Sequence, residues 1–191
     1  FNDFSYNSTG IGCLPKVQVT PDMEKGYLIS EYGGHMFPTK PFDSEAHRLE
    51  HTLRHAQVLN AYCGEEDIAG GFGWCMFDYN THKDFGSGDR ICYHGVMDMF
   101  RNRKLAGDLY AAQQEEYPVL ELSSSMDIGE HPAGLIGDIY AITNADSVRM
   151  YKNDRFVAEF TGSPYENMPH GPILIDDFVG NQLVEDGAVP E

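Results

Sequence analysis

Short apolar runs that stop at an acidic residue set the pattern of the first half of the chain. Tyr27-Leu28-Ile29 leads into Ser30-Glu31-Tyr32 and then Gly33-Gly34, which reads as a strand ending in a turn. Ile68 to Phe77 is a second apolar run, closed by Asp78, and its near-continuous character predicts a strand buried on both faces. Between them Ala46, Leu49, Leu53, Ala56 and Leu59 recur at intervals of three and four. That spacing predicts a helix over 45–62 with one buried stripe. Asp43 or Ser44 supplies its cap and Gly64 its stop. Strand, helix and strand form a βαβ unit whose polar strand ends gather at one edge. In parallel sheets and barrels that edge is where catalytic groups sit.

The surrounding stretches fit the same layout. Residues 8–25 are rich in Gly, Pro, Ser and Thr and read as a long connection. Pro38 and Pro41 keep 35–42 in a loop. A polar, Gly-containing loop follows over 80–92. Val96, Met99, Phe100, Leu105, Leu109 and Tyr110 mark a last helix over 95–113.

After Gln114 the period changes. Val119–Leu122, Asp138–Thr143, Val148–Tyr151 and Phe156–Phe160 are short alternating segments, and Asn153-Asp154 sits between the last two as a hairpin turn. Close strand spacing of this kind predicts a β-sandwich.

The chain has 191 residues and a net charge of −17, from 13 Lys and Arg against 30 Asp and Glu. Such a surface repels phosphate backbones and anionic membranes, so nucleic acid is excluded as a partner and a neutral polar ligand is favoured. No apolar stretch approaches the 18 residues or so of a membrane span. Cys13, Cys63, Cys75 and Cys92 form no C-x-x-C pair, which suits reduced thiols in a cytoplasmic protein, without zinc. The Asn7-Ser8-Thr9 triplet fits a glycosylation acceptor, a pattern that also arises by chance. His47, His51 and His55 lie at i, i+4 and i+8. No Glu follows the first as H-E-x-x-H requires, so a solvated helix face is expected and not a metal site.

Ser30-Glu31-Tyr32-Gly33, then Gly70-Gly71-Phe72-Gly73-Trp74, then Asp84-Phe85-Gly86 and Asp89-Arg90, resemble in that order glycoside hydrolase family 2, in its β-galactosidase branch. The resemblance covers roughly residues 1–115. It implies an α/β fold: the C-terminal portion of a (β/α)8 TIM barrel, followed by part of an all-β immunoglobulin-like sandwich. The domains implied are 1–115, the last β/α units, and 116–191, the beginning of the sandwich. A whole barrel needs about 250 residues. The chain is therefore expected to be a fragment whose partner is the missing N-terminal part of the same polypeptide, with open edges that favour a homo-oligomer. A naturally short α/β protein is the alternative.

The resemblance implies that Glu31 is the catalytic nucleophile at the end of the seventh barrel strand, and that Trp74 forms the floor of a sugar site. Sugar C–H faces pack on aromatic rings; a core Trp is the less favoured alternative. Asp78 matches a position near the sugar, its alternative being a loop cap. Tyr6 matches a Tyr that reaches the nucleophile, with Phe4 as the other candidate for that position. His35 resembles a substrate-contacting His but falls one residue later. The acid/base carboxyl, an Asn-Glu well upstream in the family, has no counterpart here, so the fragment alone is expected to be inactive. Cys92-Tyr93-His94-Gly95 replaces the N-x-K of glucuronidases, and His94 replaces an Asn that helps to bind sodium. A uronic acid and a sodium site are accordingly not carried over, and no cofactor is expected. The expected function is hydrolysis of terminal β-galactosides by a retaining route. The alternative is a non-catalytic carbohydrate-binding or interaction module.

Overall fold

In the computed structural model, residues 1–6, 12–33, 37–84, 89–127, 129 and 136–175 are described. The frame of the first half is β1 (Tyr27–Tyr32) and β2 (Ile68–Gly73), paired in parallel and joined through a long helix. In chain order, α1 (Lys16–Val19) precedes β1, and α2 (Glu45–Cys63) connects β1 to β2. Ser44 caps α2, its hydroxyl accepting from the His47 amide, and Gly64 follows its last turn, as expected. Residues 1–3 run alongside β1 on its other edge: the Asp3 amide donates to the Glu31 carbonyl (2.8 Å) and the Ser30 amide to the Phe1 carbonyl (2.9 Å). Three parallel segments thus lie side by side, with β1 in the middle.

Both paired strands carry an irregularity. Between Tyr27 and Ile29 the register advances three residues on β2, and between Ile29 and Tyr32 it advances only two. Each shift is an extra residue on one strand, and such bulges re-aim the side chains that follow. The face toward α2 takes Ile29 and Tyr32, both fully buried. Room for the Tyr32 ring comes from glycines: a Cβ on Gly71 would lie 3.0 Å from it, and one on Gly73 3.2 Å.

The second strand is shorter and more open than expected. It ends at Gly73, and Phe72, Trp74 and Met76 are 63%, 40% and 57% exposed. Nothing among the described residues covers the sheet face opposite α2, so burial on both faces does not hold in this chain. Past Trp74 the described residues make short pairings, among them two that bear on the site. One is β3 (Tyr79–Asn80) with β4 (Ile91–Cys92); the other is a bridge between Phe77 and Met97.

The last helix is also shorter than its apolar pattern suggests. Only α3 (Leu105–Ala111) is helical. The Val96 and Met97 amides donate to the Cys75 and Met76 carbonyls, and Asp98 Oδ1 accepts from the Phe100 and Asn102 amides. An Asp that hydrogen-bonds the backbone just ahead of it offers the chain a turn in place of a helix. Phe100, expected as an apolar member of the helix, stands exposed at that turn.

The second half holds β5 (Leu120–Leu122), β6 (Ile139–Thr143), β7 (Ser147–Lys152), β8 (Arg155–Thr161) and β9 (Ile173–Ile175). β5, β6 and β9 form an antiparallel sheet with β6 central, and β7 and β8 form a hairpin. Asn153 and Asp154 both have positive φ, as the two-residue hairpin turn requires. β6 is buried along its whole length. Its Ile139 and Ala141 pack with Ile173 and Ile175 against the hairpin, while Tyr140 and Ile142 join Ile29, Tyr32, Leu59 and Leu109 in the main core. The two halves therefore share one core. No helix among the described residues is long and apolar enough to cross a membrane.

Candidate active site

The carboxyl end of β1 carries Glu31, half-buried. The Asn2 amide nitrogen donates to Glu31 Oε2 (3.4 Å), and the Ser30 hydroxyl donates to Asn2 Oδ1 (2.7 Å). Asn2 is exposed, so Ser30 and Glu31 both reach toward the open face of the sheet. The extra residue between Ile29 and Tyr32 makes this possible: Tyr32 turns to the helix side and Glu31 stays on the other. Sequence reading missed Asn2; the pairing of residues 1–3 beside β1 was the only signal, and it is not local.

Trp74 follows β2 at the same end of the sheet. Its amide donates to the Tyr32 carbonyl (2.7 Å), which ties it to the residue after Glu31. Gly73 points to the helix side, toward Tyr32 and Tyr110, and Trp74 comes next along the strand and is 40% exposed. Its ring stands edge-on to Tyr79, with centres 6.0 Å apart. The Trp74–Cys75 peptide bond is cis.

The remaining expected positions are placed differently. Asp78 is buried, and its Oδ1 accepts from Lys104 Nζ (2.7 Å) and the Gly95 amide (2.9 Å). Lys104 Nζ also donates to the Thr39 and Tyr93 carbonyls (2.6 and 3.3 Å). This pair fastens together the loops that follow both strands. Burial raises the Asp78 carboxyl above and lowers the Lys104 ammonium below their ordinary pKa values, against the attraction of each for the other. Tyr6 lies toward α2, its ring 5.8 Å from the Arg54 guanidinium, and burial raises its hydroxyl pKa. His35 lies outside the described residues, as do Phe85 and Gly86 and the Asn7-Ser8-Thr9 triplet.

The histidines of α2 overturn an expectation. His51 and His55 are 3% and 4% exposed, not solvated. Phe37 stacks on His47 (4.4 Å between ring centres), His51 and His55 meet edge to face (5.0 Å), and His55 meets Tyr110 (5.6 Å). Imidazole is tolerated there because its faces pack on rings and His55 Nδ1 hydrogen-bonds the Tyr110 hydroxyl (3.0 Å). The leucine stripe is correspondingly less buried: Leu49 and Leu53 are half-buried and Ala46 is exposed. Among the described residues no cluster of His, Cys, Asp or Glu is suited to a metal ion, and all four cysteines are free.

A cavity of about 410 Å³ lies behind the sheet, lined by His55, Gly73, Cys75, Val96, Gly107 and Tyr110. Neither Glu31 nor Trp74 borders it. The open face is the candidate site on chemical grounds: a carboxylate and an aromatic ring on adjacent strand ends can hold a sugar ring next to a nucleophile.

No family model matches the chain. Over 191 aligned residues, covering 96% of the chain, it is 41% identical to a β-galactosidase of Thermoanaerobacterium thermosulfurigenes, and the match spans 27% of that protein. The chain thus spans about a quarter of the length of the curated relatives it matches. Its fold is similar to a β-glucuronidase from glycoside hydrolase family 2 (TM-score 0.55, 18% identity, 86% of the chain and 18% of that structure). It is likewise similar to an FMN-binding β-glucuronidase from Facaelibacterium prausnitzii L2-6 (TM-score 0.56, 22% identity, 78% and 23%).

Proposed function

We propose, for a chain that is β-galactosidase-like and of glycoside hydrolase family 2, that it is the part of a retaining β-glycosidase bearing the nucleophile. The substrate in this reading is a terminal β-galactoside. Residues 1–115 are the last strand–helix units of a (β/α)8 barrel, and 116–191 open an immunoglobulin-like sandwich. The observation that carries the reading is the bulged end of β1, with Glu31 on the open sheet face and Trp74 hydrogen-bonded to the next residue.

Glu31 attacks the anomeric carbon as the leaving oxygen is protonated, forming a glycosyl ester. Water activated by the acid/base carboxyl then releases the sugar with retained configuration. That carboxyl must stand about 5–5.5 Å from Glu31, and the reading assigns it to the missing N-terminal part of the polypeptide. The Asn2 amide holds one Glu31 oxygen by a hydrogen bond, which orients the carboxylate. Trp74 packs against the sugar's C–H face. Asp78 acts from beneath by holding the loops through Lys104. The acidic surface suits a neutral sugar, and four free thiols suit a reducing cytoplasm.

Complementation tests this. Mixed with the missing part of the polypeptide, the chain should gain turnover of 4-nitrophenyl β-galactoside, and the Glu31→Gln chain should not. Sugar binding by the chain alone, with no activity on mixing, would replace this reading with the binding module.

A further inference from the structure

Tyr32 sits where the two proposed site residues meet. It follows Glu31, and its carbonyl receives the Trp74 amide (2.7 Å). Next comes Gly33, with φ +74°, a backbone state that suits glycine. On the other side of the sheet the Tyr32 hydroxyl lies 2.7 Å from the Tyr110 hydroxyl, which lies 3.0 Å from His55 Nδ1. The His55 ring also lies directly under Gly33: a Cβ there would be 3.6 Å from its Cε1. We propose that Tyr110 and His55 are positioning residues for the glycosidase reaction, acting through Tyr32 to aim Glu31. The inference rests on the reading of Glu31 as nucleophile.

The argument is one of phase. Side chains alternate across a strand, and a slip of one residue sends each to the opposite face. A strand with a bulge has a choice of where its extra residue goes. Anchoring the Tyr32 hydroxyl in the core removes that choice and leaves Glu31 on the open face. The anchor is polar in a region where a Phe would fill the same space. A buried hydroxyl that loses its partners is costly, so the orientation of Tyr32 that pairs it with Tyr110 and Tyr62 is strongly preferred. Burial raises the pKa of both phenols, so both hydroxyls stay protonated. Gly71 and Gly73 admit the two rings. A Cβ on Gly71 would lie 3.0 Å from Tyr32 and one on Gly73 3.0 Å from the Tyr110 hydroxyl.

The test uses the full-length polypeptide that contains this segment, with 4-nitrophenyl β-galactoside as probe. Tyr110→Phe keeps the ring and removes the hydroxyl. It should lower kcat about tenfold, as displaced reacting groups do, with KM within about twofold; the melting temperature should fall as well, because the Tyr32 hydroxyl and His55 each lose a partner. His55→Ala should show a similar loss. His55→Asn, whose amide can occupy the place of Nδ1, should recover most of it. Unchanged kcat in Tyr110→Phe, or equal losses in His55→Ala and His55→Asn, would overturn the inference while leaving the glycosidase reading intact. If Tyr110→Phe fails to fold, the His55 pair decides alone. A parent that turns over no β-glycoside would overturn the reading and the inference together.

Discussion

Lys104 Nζ lies 2.7 Å from Asp78 Oδ1, and both side chains are 2% exposed. Two charges withdrawn so far from water stabilise little as a pair but are costly singly. Lys104→Met should therefore destabilise the chain by about 3–5 kcal/mol, because it strands the Asp78 carboxylate. The double variant Lys104→Met/Asp78→Leu should recover a large part of the loss. Urea midpoints measure both. A single variant as stable as the parent would show that the pair is not buried as described.

Gly95 is walled in by backbone. A Cβ there would lie 2.3 Å from the Asp78 amide nitrogen and the Met97 carbonyl oxygen, neither of which can step aside alone. Gly95→Ala should cost at least about 3 kcal/mol, the upper end of overpacking. Gly26 has open space around it, so Gly26→Ala should change stability by less than about 1 kcal/mol. Comparable melting temperatures for the two variants would refute the close packing of 95–97 on 75–78.

Much of the fold was legible because its signals are local. The extent of α2, its Ser44 cap and the Asn153-Asp154 turn each depend on a few neighbouring residues, and all three stand as expected, although the stripe that the helix buries is only partly the one its spacing marks. The 95–113 segment was misread because Asp98 closes a turn that breaks an otherwise helical pattern. The histidine face was misread because its partners, Phe37 and Tyr110, come from other elements. Glu31 and Trp74 stood out through family motifs. Asn2 and the Tyr32–Tyr110–His55 chain did not, since each joins residues far apart in sequence.

His94 is buried, and burial, followed by the Lys104 charge, lowers its pKa. A lowered histidine pKa means that the unfolded chain takes up the proton first. Stability should then fall as pH drops below about 6.5, the ordinary histidine value, and on toward the folded one. His94→Asn cannot titrate and should lose less stability between about pH 7 and pH 5. Identical pH slopes for parent and variant in urea denaturation would exclude His94 as a source.

The open face of the sheet bears Leu28 and Phe72, 44% and 63% exposed. Large apolar side chains exposed on an uncovered sheet face favour association. The isolated 191-residue chain should self-associate in sedimentation, and Phe72→Asp should shift it toward monomer. A parent that sediments as a monomer at tens of micromolar would count against a barrel segment whose inner face awaits cover.

The central claim is that Glu31 is a glycosidase nucleophile. The direct measurement treats the full-length polypeptide containing this segment with a 2-deoxy-2-fluoro-galactosyl inactivator, then maps the labelled peptide by mass. A single label on Glu31, with loss of activity in step, is the predicted result. Turnover of nitrophenyl β-galactoside with the label on another carboxylate would contradict it.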